Sequence, residues 1–310
     1  MPHFASTLAI PPKICLLLFL LSACAAAPVG AQGVTLAAAG DVACEPSASR
    51  FDESGVVGGG RTCQMKATAD LILERNPDAV LTLGDNQYQD GELSAFAASY
   101  GPTWGRFKAI TYPVPGNHDY RTDGASGYYG YFGDRAGDPA KGYYSFDLGD
   151  WHLIALNSNC DEVGGCGEGS AQLKWLEQDL ADNAGACTLA YWHHPRFSSG
   201  NHGSDDTYNA FWQALIDAGA ELVLSGHDHS YERFAPQRAD ASAGDAGVRQ
   251  FVVGTGGIGF YARESEEPNS EAFVAERFGA LFLTLSENGY DWSFVGTDGE
   301  TLDAGKEGCH

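Results

Sequence analysis

The chain is short of positive charge: across 310 residues, Lys and Arg total 18 against 41 Asp and Glu, a net charge of -23. A nucleic-acid duplex or an anionic membrane surface needs a basic face to displace counterions, so neither is an expected partner. Long apolar runs are also missing. Only the stretch from Ile14 to Leu21 is continuous, and nothing later approaches a span's worth of apolar residues, so no transmembrane segment is expected. Glycine is frequent, at 40 residues, but lacks a three-residue period, which excludes a collagen-like chain. No CxxC pair offers a Cys-rich metal site, and no GxSxG elbow supports a serine hydrolase. Neither a repeat of fixed period nor a long linker divides the sequence. Core material is ample: 44% hydrophobic and 12% aromatic residues exclude a disordered chain.

Residues 1–31 read as a signal peptide, with Lys13 ahead of the apolar run and small residues through Ala27. The stretch Leu21-Ser22-Ala23-Cys24 is shaped like a lipoprotein processing site, which would leave a lipid anchor on Cys24. Ordinary cleavage near Ala31 would instead discard that cysteine. Both readings make the protein exported, extracellular or periplasmic, with residues 32–310 as one catalytic domain. Cys44, Cys63, Cys160, Cys166, Cys187 and Cys309 then remain, and the sequence alone does not fix their pairing. Loop context favours Cys44 with Cys63 and Cys160 with Cys166, leaving Cys187 for Cys309, in an oxidising compartment.

Short apolar runs alternate with helical patterns, the signature of an α/β domain. Residues 34–40, 79–83, 151–157, 188–192 and 222–225 read as buried strands. Residues 63–75, 170–183 and 206–218 read as helices, with Leu173, Leu176 and Leu180 at helical spacing. Near the end, 280–286 and 290–295 flank Glu287-Asn288-Gly289 and form an expected hairpin. The small polar stretch 238–247 reads as a surface loop.

The chemistry sits where strands end. Five strand patterns each run into a metal-ligand residue type: Asp41, then Asp85, then Asn117-His118-Asp119, then His193, then His227-Asp228-His229. Ligands of α/β sheets bind at the carboxyl ends of strands, so these loops converge on one crevice. In four of the five cases glycine precedes the polar residue and lets the backbone turn sharply. A single Asp after a strand is ordinarily a turn or a cap, and a lone His pair can be a buried aromatic corner. Five such residues in this order are not explained by unrelated turns.

Asp41, GDNQY (84–88), GNHD (116–119), HHP (193–195) and GHDH (226–229) resemble, in order, the blocks of the calcineurin-like metallophosphoesterases, and more narrowly of the purple acid phosphatases. The resemblance runs from about residue 34 to 234. Where most relatives carry Asp-x-His in the first block, this chain has Asp41-Val42-Ala43 and offers Tyr88. The resemblance implies a four-layer α-β-β-α sandwich with two mixed β-sheets. It places Asp41, Tyr88 and His229 on a first metal, Asn117, His193 and His227 on a second, and Asp85 between the two. It implies Fe(III) in the first site, because phenolate is a hard anionic donor, and Fe(II), Zn(II) or Mn(II) in the second. His118 and His202 match outer-sphere histidines that orient phosphate or protonate the departing alkoxide.

The implied reaction is hydrolysis of a small phosphate monoester, with hydroxide presented by the metal pair in line with phosphorus. Phosphodiesters or nucleotides are the alternative substrates, and a non-catalytic surface binding protein on the same fold is a distant one. Loops 120–142, 198–206 and 235–249 are the expected substrate selectors. His152, inside a strand pattern, reads as a packed residue. GTGGIG (254–259) matches a dinucleotide-loop pattern, but no clear helix opening follows, so it reads as a structural turn bordering the cleft.

Overall fold

The computed structural model describes residues 1–4, 33–48 and 63–310, so the leader and Cys24 lie outside the described residues. The chain divides into Met1–Gln32 and Gly33–His310. The second unit holds two mixed sheets. Its first strands and helix are β1 (Val34–Ala39), α1 (Met65–Arg75), β2 (Ala79–Leu83) and β3 (Thr111–Val114), with a short α2 (Leu93–Ala95) before β3. Next come α3 (Ser126–Phe132), β4 (Tyr144–Leu148), β5 (Trp151–Ala155), α4 (Ala171–Asp182) and β6 (Cys187–Tyr191). The chain continues through α5 (Asn209–Ala218), β7 (Leu222–Ser225), β8 (Tyr231–Phe234), β9 (Arg249–Val253) and β10 (Ser270–Val274). It ends on β11 (Gly279–Ser286), β12 (Gly289–Gly296) and β13 (Thr301–Gly308).

One sheet runs β13-β12-β11-β1-β2-β3 and the other β10-β8-β9-β7-β6-β5-β4. In each, a parallel core joins antiparallel strands: β1, β2 and β3 are parallel, as are β5, β6, β7 and β9. Helices cover the outer faces, which gives the four layers.

Alternation along the second sheet shows how the layers are built. Leu153 and Ala155 of β5, Leu189 and Tyr191 of β6, and Leu222 and Leu224 of β7 pack between the sheets. The intervening Ile154, Ala190 and Val223 join Leu173, Leu176 and Leu180 of α4 and Phe211, Trp212 and Leu215 of α5. Side chains point to opposite faces every second residue, so a strand buried on both faces is apolar at nearly every position.

Local chemistry sets the helix ends. Ser170 caps α4 by accepting the Leu173 N–H at 3.2 Å, and Asn76 closes α1 in the left-handed region. The helix expected from residue 63 begins at Met65, because Cys63 has φ of 59° and is tied to Cys44. The strand expected to reach residue 157 stops at Ala155, where Asn157 turns into a polar network with Gln172 and Tyr120. All three expected disulfides are present: Cys44–Cys63, Cys160–Cys166 and Cys187–Cys309. No helix among the described residues is long and apolar enough to cross a membrane.

Candidate metal centre

The loops after β1, β2, β3, β6 and β7 meet at one end of the sandwich. Asp41, Asp85 and His227 hold φ values of 61°, 46° and 69°, in the left-handed region that non-glycine residues avoid. Such strain collects at functional sites and persists because the surrounding packing enforces it. Two glycines give the loops their close approach. A Cβ on Gly84 would meet the His193 ring at 2.5 Å, and one on Gly116 would meet the Asp85 amide at 2.2 Å.

All seven predicted ligands come together in two groups that share Asp85. In the first, Tyr88 Oη lies 2.9 Å from Asp41 Oδ1, 2.9 Å from Asp85 Oδ2 and 3.2 Å from His229 Nε2. His229 Nε2 is 3.4 Å from Asp41 Oδ1. In the second, His193 Nε2 lies 3.1 Å from Asn117 Oδ1, 3.2 Å from His227 Nδ1 and 3.4 Å from Asp85 Oδ2. Donors about 2.1 Å from one ion, set at tetrahedral to octahedral angles, stand about 3.0–3.4 Å apart. The observed spacings match that shell, so the donors present fit metal coordination.

The electrostatics point the same way. Burial pushes the Tyr88 phenol well above its ordinary range, and the carboxylates of Asp41 and Asp85 push it further. Two carboxylates against one phenol favour its proton unless a cation lies among them, and a bound cation reverses that preference. Burial works against charge on His193, but Asp85 outweighs it and raises the imidazole to about 9. Asp85 in turn is held well below its ordinary value by His193 and His118, against the opposing effect of burial. His227 is pushed far down by burial and then by His193, His194 and His202, which keeps it in the neutral form that ligates metals. The Leu83 carbonyl accepts from His193 Nδ1 at 2.8 Å, so Nε2 carries the lone pair that faces the centre.

The two outer histidines are here as well. His118 donates Nδ1–H to the Gln89 carbonyl at 2.7 Å, which leaves Nε2 3.9 Å from Asp85 Oδ2. The His202 ring stacks on His227 with centroids 3.9 Å apart. By contrast, His152 stands apart from the centre, clasped by Asp147 at 2.9 Å and Asp179 at 2.8 Å, as a packed residue should be. The 254–259 turn borders the centre: Gly256 N–H donates to the Gly40 carbonyl and Ile258 N–H to the Asp41 carbonyl.

Sequence reasoning named Asp119 and His194 only as parts of motifs, without a role, and did not single out Tyr261. Asp119 is fully buried and accepts from the Gly116 amide, the Asn86 amide and the Asn86 side chain, which stitches two ligand loops together. Tyr261 lies flat on His229, with centroids 3.9 Å apart and planes 9° apart. His194 packs 4.4 Å from the His227 ring. Two cavities flank the centre. One, of 610 Å³, is lined by His229, Ile258, Phe260 and Tyr261. The other, of 480 Å³, is lined by Asn117, Tyr120, Asp161, Glu162 and His194. Loop 235–249 lines neither cavity; their walls come from 258–262 and 158–162, joined by Tyr120 and by Asp205.

Comparison with known proteins agrees with this geometry. Purple acid phosphatase 15 of Arabidopsis thaliana is 26% identical over 235 residues, 64% of this chain and 43% of that protein. The chain spans about half the length of the curated relatives it matches. Among solved structures, a purple acid phosphatase from yellow lupin seeds superposes with a TM-score of 0.66 at 19% identity, over 88% of this chain and 53% of that one. A dimetal phosphatase from Danio rerio superposes with a TM-score of 0.61 at 14% identity, over 90% of this chain and 100% of that one. Residues 35–231, which carry every strand-end ligand, match the family description directly, and the chain belongs to the calcineurin-like phosphoesterases.

Proposed function

We propose that this chain is an exported phosphohydrolase that uses two metal ions to cleave phosphate monoesters. The observation that carries the reading is the pair of donor groups, each spaced as a coordination shell and joined through Asp85. Tyr88 suits Fe(III) in the first position, and the imidazoles and amide suit Fe(II), Zn(II) or Mn(II) in the second. When bound, the pair would supply the positive charge that neutralises phosphoryl oxygens and acidifies water.

The chain's own residues do the rest. Asp85, whose Oδ1 accepts the His118 backbone N–H at 2.8 Å, would contribute to both positions. Asn117 contributes an uncharged oxygen, so the second position keeps more of its charge for substrate. His118, with Nδ1 fixed, presents Nε2 to a phosphoryl oxygen or to the departing alkoxide. His202 stands across the centre in the same capacity. Three disulfides and the leader-shaped N-terminus support export to an oxidising compartment.

Diesters are the second reading, because two cavities flank the centre and could receive two alcohol groups. Initial rates on p-nitrophenyl phosphate and bis-p-nitrophenyl phosphate separate the two. Preference for the monoester is expected. Preference for the diester would shift the function to phosphodiester hydrolysis. A chain that holds two metals and cleaves neither would sink the hydrolase reading and favour a binding role.

A further inference from the structure

Asp228 is outside the proposed donor set, yet it is wholly buried between two of its members, His227 and His229. Its Oδ1 accepts the His202 backbone N–H at 2.9 Å and lies 3.0 Å from His202 Nδ1. Its Oδ2 accepts the Ser198 hydroxyl, and Ser198 Oγ in turn accepts the Gly200 N–H at 3.0 Å. The loop closes over this carboxylate so tightly that a Cβ on Gly200 would stand 2.5 Å from Asp228 Cγ. The same loop is anchored separately: buried Glu232 accepts both the Ser199 N–H, at 2.8 Å, and the Ser199 hydroxyl, at 2.6 Å. The loop thus has a second anchor besides Asp228, and the one side-chain imidazole that Asp228 meets is that of His202.

A carboxylate only accepts, so the hydrogen of the side-chain bond sits on His202 Nδ1. That nitrogen is turned into the protein, which leaves Nε2 at the opposite corner of the ring. The ring itself is held between His227, at 3.9 Å, and Tyr261, at 5.3 Å. We propose that Asp228 is the positioning residue for His202, fixing its tautomer and orientation so that Nε2 faces the bound phosphate ester. This rests on the hydrolase reading above. The residue between two proposed metal-binding histidines thereby serves the outer histidine, so one short segment sets both those donors and the ring stacked on one of them. A histidine lacking such a partner would divide its time among tautomers and rotamers, and the reacting geometry would be reached less often.

The test is a double-mutant cycle on kcat and KM with p-nitrophenyl phosphate, using H202A, D228A, D228N and the two double variants, each checked for two metals per chain. D228A should lower kcat about 10–100-fold with KM little changed, as loss of an orienting partner does. D228N keeps an acceptor but loses the charge, so its loss should be smaller, on the order of severalfold. Neither Asp228 substitution should cost anything further once His202 is gone. Losses that multiply in the double variants, full activity in D228A, or loss of metal from D228N would each overturn the proposal. In zinc-loaded protein the His202 Nδ1–H should appear in 1H–15N spectra and vanish in D228A; its absence from the wild type would also overturn it. A wild-type chain that binds two metals and cleaves no ester would fail the hydrolase reading, while the Nδ1–H signal would still decide the Asp228–His202 bond.

Discussion

The two ends of the sandwich handle charge in opposite ways. At the strand ends, Asp41, Asp85 and His227 are held in strained backbone, and two carboxylates crowd one phenol. Across the antiparallel edge, charge is matched. Arg233 pairs with Asp303 at 2.8 Å, Arg249 pairs with Glu307 at 2.8 Å, and both guanidinium groups lie 5.2 Å from the Trp292 ring. Tyr231 and Tyr290 donate to the same two carboxylates, and Cys187–Cys309 pins the end of the chain beside them. Strain costs about 1–3 kcal/mol at each unusual residue, so it survives only where regular structure elsewhere compensates. The difference teaches where each kind of substitution should register: chemistry at the strained end, stability at the matched one.

The strongest way to break that comparison is to remove a donor. Replacing His227 or Asn117 by Ala should lower kcat about 10⁴-fold or more, because the second position loses a ligand and the reaction loses its electrostatic support. Melting temperature should stay close to that of the wild type, since His227 and Asn117 sit in loops past strand ends and supply neither core cluster. Full activity, or unfolding, in either variant would contradict the division. The reverse experiment is the next largest. Removing Cys187–Cys309, which closes 122 residues, should cost about 4–5 kcal/mol of stability in denaturant unfolding. The folded fraction of that variant should keep its activity. A loss of turnover larger than the loss of folded protein would show that the two ends are coupled.

The legible parts of the sequence were those where one physical requirement dominated. β2, β5, β6 and β7 are buried along their length and β1 from Leu36 onward, so each reads as a short run that is apolar at all but one position. Asp41, Asp85, His193 and His227 each stand two residues past the end of β1, β2, β6 and β7, so they and the glycine turns beside them stood out, whereas the full set of seven positions came from the resemblance to the family. The edge strands were another matter. β4 and β10 are half-buried, and β13 carries Thr301 to Gly308 with hardly an apolar residue. Its Gly305 exists to admit the Trp292 ring, since a Cβ there would come within 2.2 Å of it, and no local pattern announces that. Asp119 and Asp228 were illegible for the same reason. A buried carboxylate is identified by what it accepts from distant loops, and the contacts of Asp119 with Asn86 and of Asp228 with Ser198 lie about thirty residues away.

His152 sharpens the comparison at its smallest scale, because it resembles His193 in having aspartates for neighbours and differs in everything else. It joins Asp147 of β4 to Asp179 of α4, and Ser145 also donates to Asp179 at 2.8 Å. Burial lowers its affinity for a proton, but the bonds to Asp179 and Asp147 outweigh that and raise it above its ordinary value. A histidine whose pKa is raised in the folded state adds stability that is fully present below its unfolded value, about 6.5, and is lost as pH rises through the folded value. Replacing His152 by Gln should therefore lower the melting temperature more at pH 5.5 than at pH 9, with a stability loss of about 1–3 kcal/mol at the lower pH. Turnover per folded molecule should not change, because the His152 side chain bonds to Asp147, Asp179 and Asn183, none of them a proposed donor. An equal penalty at both pH values would mean that His152 acts through packing alone, and a change in turnover would mean that α4 and its sheet reach the centre after all.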